Sequence, residues 1–108
     1  MRSVTDTDFE SAIARPGPVL VVFEAVWCRP CVRMRDEVAE AAGRLAWPVL
    51  TAELDAAQNA ALASKVRAVP SAALYRDGVL LATKPGAWPA SALLGWIQGA
   101  LAAPGSAG

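Results

Sequence analysis

Apolar residues along this chain occur in two patterns, short unbroken runs and longer segments with helical spacing. Unbroken apolar runs are typical of buried strands, whereas apolar residues three or four positions apart are typical of helices that bury one face. We predict strands at residues 19–24, 48–54, 71–75 and 79–83. We predict helices after a polar cap region at residues 5–8, over residues 28–45, from a cap at Asp55 through residue 66, and from Pro89 through residue 101.

Turn residues separate these segments. The sequence Arg15-Pro16-Gly17-Pro18 breaks the chain before the first strand, and Asp77-Gly78 between the last two strands is typical of a tight hairpin. The order α-β-α-β-α-β-β-α indicates an α/β fold with a mixed sheet covered by helices on both faces. A chain of 108 residues is long enough for one domain with a core and too short for two. We therefore predict one domain over residues 1–102 and a flexible tail at residues 103–108.

Composition excludes several classes of function. Ten basic and ten acidic residues give a formal net charge of zero, and no basic stripe is present that would bind nucleic acid or an anionic membrane surface. Histidine is absent, which excludes Cys-His and Ser-His catalysis within one chain, and two thiolates fall short of the four ligands of a structural zinc site. The first residues lack the apolar core of a secretion signal, and no apolar run is long enough to span a membrane. We therefore expect a cytoplasmic protein with no nucleic-acid or membrane partner.

Both cysteines of the chain lie in Trp27-Cys28-Arg29-Pro30-Cys31, between a predicted strand and a predicted helix. Two intervening residues put the sulfurs on one face of a helical turn, where they can close a small disulfide, Cys28–Cys31, and open it again. A purely structural bridge would close a very short loop and would constrain the unfolded chain little. The helix N-terminus and Arg29 both favour the thiolate of Cys28, and Pro30 suits the first helical turn. The motif therefore predicts a redox-active dithiol.

Together with three later segments, the cysteine motif resembles the thioredoxin family over residues 4–102. The matching segments are Trp27-Cys28-Arg29-Pro30-Cys31, Val69-Pro70-Ser71, Arg76-Asp77-Gly78 and Lys84-Pro85-Gly86-Ala87. The resemblance implies the thioredoxin-like fold, a cis Val69–Pro70 bond, an exposed attacking Cys28 and a buried resolving Cys31. It also implies a substrate surface, which comprises Trp27, Val69, Pro70, Gly86 and Ala87.

The same resemblance implies the partners of the reaction. These are protein substrates that contain disulfides and an external reductase, such as a thioredoxin reductase, which resets the cysteine pair. No bound cofactor is required, and we expect a monomer.

At several positions near the cysteines the sequence departs from the family pattern. Val22 stands where the family commonly has a buried Asp that relays the proton of the resolving cysteine. Glu53 replaces the lysine that commonly faces this Asp, and Glu24 replaces an aromatic residue. Glu24 shares the face of Val22 by strand alternation, so Glu24 first and Glu53 second are candidates to accept the proton of Cys31. With Trp27, Arg29 and Pro30, these two acids are the residues expected to tune the site.

Three functions are compatible with these features. We predict a thiol-disulfide oxidoreductase that reduces protein disulfides. An oxidase or isomerase on the same fold is the first alternative, because stabilising the thiolate with Arg29 makes the disulfide more oxidising. The second alternative is a non-catalytic binding subunit, or a dimer that holds an iron–sulfur cluster with two cysteines from each chain.

Overall fold

The computed structural model describes residues 1–103 and contains a five-stranded mixed sheet. The strands follow the order β1-β3-β2-β4-β5. Strands β1, β3 and β2 are parallel, whereas β4 runs antiparallel to β2, and β5 antiparallel to β4. Their bounds are β1 Arg2–Val4, β2 Pro18–Glu24, β3 Val49–Glu53, β4 Ser71–Arg76 and β5 Val79–Pro85.

Within residues 1–103, four α-helices cover both faces of the sheet, as the sequence predicts. Their bounds are α1 Phe9–Ile13, α2 Arg29–Gly43, α3 Gln58–Ala63 and α4 Ala90–Ala102. The alternation of β2 divides the core, because Val21 and Phe23 pack with α1 and α3, and Leu20 and Val22 pack with α2 and α4. Within residues 1–103, no helix has the length and apolar character needed to cross a membrane.

The hairpin between β4 and β5 forms at the predicted Asp-Gly pair. Asp77 and Gly78 have φ values of 54° and 78°, the left-handed conformation that tight hairpin turns require. The Asp77 carboxylate accepts a hydrogen bond from the backbone N–H of Gly17 at 2.8 Å. The segment Arg15-Pro16-Gly17-Pro18 is therefore joined to the hairpin turn, at the end of the sheet opposite the cysteines.

Two sequence predictions about the elements were wrong. The sequence predicted no strand at Arg2–Val4, because a strand of three residues with one buried side chain has no readable alternation. The predicted helix from Asp55 to residue 66 is a short 3₁₀ turn followed by α3. Asp6, and not Asp55, caps α3, since its carboxylate accepts the backbone N–H groups of Asn59 and Ala60 at 3.1 and 2.9 Å. The predicted tail, apart from Ala103, lies outside the described residues.

A carboxylate of α2 holds the start of α4. The residue before α4 is Pro89, whose side chain caps no backbone group. Glu37 Oε1 instead accepts a hydrogen bond from the backbone N–H of Ala90 at 2.8 Å. The helix that begins at the cysteines is thereby tied to the segment between β5 and α4.

We expect Glu37→Ala to lower the free energy of unfolding by about 1 kcal/mol, because it leaves the partly buried N–H of Ala90 without its acceptor. Chemical denaturation of the reduced protein measures this change. Glu40→Ala is the matched control, since Glu40 lies on the same helix and is exposed. Equal losses for the two variants would contradict a capping role for Glu37.

Candidate active site

The cysteine pair lies where the carboxyl end of β2 meets the beginning of α2. Cys28 is the N-cap of α2, and its sulfur accepts a hydrogen bond from the backbone N–H of Cys31 at 3.2 Å. Pro30 lies in the first helical turn, where a missing N–H removes no helical hydrogen bond. Both cysteines are free thiols in this structure. The predicted strand-to-helix placement is confirmed.

The prediction that Cys28 is exposed was wrong for this reduced form. Cys28 is 6% exposed and Cys31 1% exposed, and both pack with Ala25 and Val69. The Cys28 thiol turns inward because its sulfur accepts the Cys31 N–H and donates to the carbonyl oxygen of Val69 at 3.7 Å. Trp27, directly before the pair, is 66% exposed. The contact with Val69 and the packing against Ala25 therefore cover most of the Cys28 side chain.

Three residues of the predicted substrate surface, Val69, Pro70 and Gly86, are connected to the Cys28 sulfur or to one another. The Val69–Pro70 peptide bond is cis, as the sequence resemblance implied. The carbonyl oxygen of Pro70 accepts the backbone N–H of Gly86 at 2.8 Å, which places the start of the β5–α4 segment beside the cysteines. Gly86 has a φ of 99°, and a side chain there would also approach the indole nitrogen of Trp88 at 3.3 Å. Glycine is therefore required at this contact.

Cys31 lines a small cavity beside α2. The cavity has a volume of about 10 Å³, and Cys31, Val22, Glu24, Arg35 and Pro70 are among its lining residues. Burial raises the pKa of the Cys31 thiol to about 12, and the Cys28 side chain and the charge of Glu24 act in the same direction. Cys31 is therefore a protonated thiol at neutral pH and must lose its proton when it reacts.

The structure brings only one of the two candidate acids to Cys31. Glu24 lines the cavity, with its side chain 16% exposed, and its Oε2 is 3.4 Å from Nε of Arg35. Glu53 pairs with Glu24 across β2 and β3, but it does not line the cavity, and its buried Oε1 has no hydrogen-bond partner among residues 1–103. Sequence reasoning did not single out Arg35. Its position one helical turn after Cys31 was the available signal.

Comparison with known proteins gives consistent results. The Thioredoxin family model matches residues 1–99. A thioredoxin of Rhodospirillum rubrum is 35% identical over 101 residues, which is 91% of this chain and 97% of that protein. A thioredoxin of Pseudomonas aeruginosa is 37% identical over 101 residues, which is 89% of this chain and 92% of that protein. The solved structure of a mutant thioredoxin from Halobacterium salinarum superposes with a TM-score of 0.82 at 28% identity, over 90% of this chain and 87% of that one.

The protonated state of Cys31 leads to a titration experiment. In Cys28→Ser the remaining thiol is Cys31. We expect it to form no thiolate near pH 9, where exposed thiols titrate, because burial is the largest cause of its raised pKa. Ultraviolet absorbance of the thiolate against pH measures this, with Cys28→Ser/Cys31→Ser as the blank for tyrosine. A thiolate that forms at or below about pH 9 would contradict the burial argument.

Proposed function

The chain belongs to the thioredoxin family and is a thiol-disulfide oxidoreductase that reduces protein disulfides, and we propose that Cys28 attacks the substrate and that Cys31 resolves the product. The observation that carries this assignment is the hydrogen bond of 3.2 Å from the Cys31 N–H to the Cys28 sulfur. A helix N-terminus that donates to sulfur stabilises a thiolate there, and Arg29 adds a neighbouring positive charge.

The proposed reaction has two exchange steps. The Cys28 thiolate attacks one sulfur of a substrate disulfide, the substrate S–S bond breaks, and the second substrate sulfur leaves as a thiolate that takes a proton from solvent. Cys31 then loses its proton and attacks the Cys28 sulfur. The mixed disulfide breaks, the first substrate sulfur leaves as a thiolate that takes a proton from solvent, and the Cys28–Cys31 bond forms. The substrate gains two electrons and the enzyme loses two, which an external reductase returns.

We propose that the substrate segment binds to the surface formed by Trp27, Val69, Pro70, Gly86 and Ala87. An exposed indole next to a buried nucleophile offers apolar area to an incoming chain, and the contact of Pro70 with Gly86 holds two sides of this surface together. The approaching disulfide replaces the Val69 carbonyl as the neighbour of the Cys28 sulfur.

The remaining proposals concern the state of the protein. Residues 1–102 form a single domain that acts as a monomer without a nucleic-acid or membrane partner, and a thioredoxin reductase regenerates it. A cycle that ends with a reduced dithiol suits the cytoplasm, where thiols are kept reduced. Relatives named thioredoxin that match most of the chain favour reduction over the oxidase, isomerase and binding-subunit alternatives.

Single cysteine variants test the two roles. Cys28→Ser removes the attacking sulfur and should abolish disulfide reduction. Cys31→Ser keeps the attack but should accumulate mixed disulfides with substrate, because the resolving step is lost. Mass spectrometry of the covalent complex and a protein-disulfide reduction assay measure these results. Full catalytic turnover by Cys31→Ser, or a stable complex formed through Cys28→Ser, would contradict the assignment.

We further propose Glu24 as the group that accepts the Cys31 proton. Val22, at the position where the family commonly has Asp, carries no acceptor, and Glu24 is the carboxylate that shares the small cavity with Cys31. The Arg35 guanidinium holds this carboxylate on the cavity wall. General-base assistance acts in the second exchange step only, because the attack by Cys28 needs no proton from Cys31.

We expect Glu24→Gln to slow the decay of the mixed disulfide by about tenfold near neutral pH, less than the full effect of a general base because Glu24 is partly exposed. The rate of the first attack should hardly change. Rapid-mixing kinetics separates the two steps, and Glu53→Gln is the control, since Glu53 does not line the cavity. Equal decay rates for Glu24→Gln and the unchanged protein would exclude Glu24 from the step.

A further inference from the structure

Two arginines lie one helical turn apart on the exposed side of α2, next to the cysteines. Arg29 and Arg33 line one open cleft of about 430 Å³ together with Val32, an apolar side chain that is 54% exposed. Within residues 1–103 neither guanidinium makes an ion pair or a side-chain hydrogen bond, although the sequence permits an Arg33–Glu37 pair. Both charges are therefore available to a binding partner.

Arg33 also lines a second groove, which connects this cleft with the proposed substrate surface. The groove has a volume of about 400 Å³ and includes Ala87 and Trp88 on its other side. Trp88 is held in place, because its indole N–H donates to the Pro85 carbonyl at 2.8 Å and Nζ of Lys84 lies 3.7 Å from its ring centre. A chain bound at Ala87 can therefore continue past a fixed aromatic ring towards Arg33.

Charges around the site are unevenly placed, although the chain as a whole has a formal net charge of zero. Arg67, two residues before Val69 in the sequence, is a further exposed cation. Two acids near the cysteines, Glu24 and Glu37, are already engaged by other groups. Glu24 pairs with Arg35 on the other side of α2, and Glu37, which lines the second groove, accepts the N–H of Ala90.

We propose that the surface of Arg29, Val32, Arg33 and Trp88 selects substrate proteins that carry Asp or Glu beside the disulfide to be reduced. This inference rests on the proposed roles of Cys28 and Cys31, and it names the substrate class. Exposed charges at the rim of an interface act mainly on association and discrimination between partners. An acidic flanking residue is attracted to the two arginines while its apolar neighbours contact Val32 and Trp88, and a basic residue at the same place is repelled.

Three cyclic disulfide peptides that differ only in the residue next to one cysteine, Glu, Gln or Lys, test this selection. We expect kcat/KM to fall in the order Glu, Gln, Lys, with about a two- to tenfold difference between the extremes, as for exposed charge pairs. A small dithiol in excess regenerates the enzyme. Raising the ionic strength from about 0.05 M to about 1 M should reduce the difference, because the screening length falls to about 3 Å. Equal rates for the three peptides at low salt would overturn the inference.

The variant Arg29→Gln/Arg33→Gln identifies the residues responsible. Arg29 also affects the reactivity of Cys28, so the compared quantity is the ratio of kcat/KM for the Glu and Lys peptides within one enzyme, in which that reactivity cancels. We expect the ratio to approach one in the double variant and to stay unchanged in Arg44→Gln, whose exposed arginine lies at the far end of α2. An unchanged ratio in the double variant would overturn the inference. Failure of the unchanged protein to reduce any of the peptides would overturn the proposed function, and this inference with it.

Discussion

The first N–H groups of a helix have no partner within the helix, and in α2 one of them is satisfied by a sulfur atom. The Cys31 N–H donates to the Cys28 sulfur at 3.2 Å, in the place where a cap usually offers oxygen. The buried central strand β2 leads directly into this helix, so Cys28 lies at the helix start, beyond the carboxyl end of the strand. The same unpaired donors that require a cap also favour negative charge on the sulfur.

Helix α2 separates the site into two environments. Its buried side carries Cys31, Met34 and Val38, and there burial keeps the second thiol protonated and places it on a small cavity beside Glu24. Its exposed side carries Arg29 and Arg33, which face solvent and the grooves near Ala87. The proposed proton acceptor therefore lies with Cys31 on the buried side of α2, whereas the two arginines of the proposed substrate surface lie on its exposed side.

Hydrogen bonds between distant segments hold the elements around the cysteines together. Glu37 joins α2 to the start of α4, and the Pro70 carbonyl joins the cis peptide segment to Gly86. Trp88 is fixed between these two contacts by its own hydrogen bond and by Lys84. The proposed substrate surface is thus assembled from separate segments of the chain, and hydrogen bonds join Gly86 to the Pro70 carbonyl and the Cys28 sulfur to the Val69 carbonyl. Contacts between segments, and not the local sequence of any one segment, therefore position the residues that would hold a bound chain.

Features that depend on neighbours along the chain were predictable from the amino-acid sequence alone. Strand and helix periodicities predicted the α/β fold, Asp77-Gly78 predicted the hairpin, and the spacing of Cys28 and Cys31 predicted a dithiol at a helix start. The packing of distant segments set the addition of β1 to the sheet, the capping of α3 by Asp6 and the burial of Cys28 against Val69, and it placed Glu24, but not Glu53, on the cavity of Cys31. Each of these depends on an atom from a segment distant in sequence, because a cap, a cavity wall or an edge pairing is satisfied by whichever group the packed sheet brings within reach.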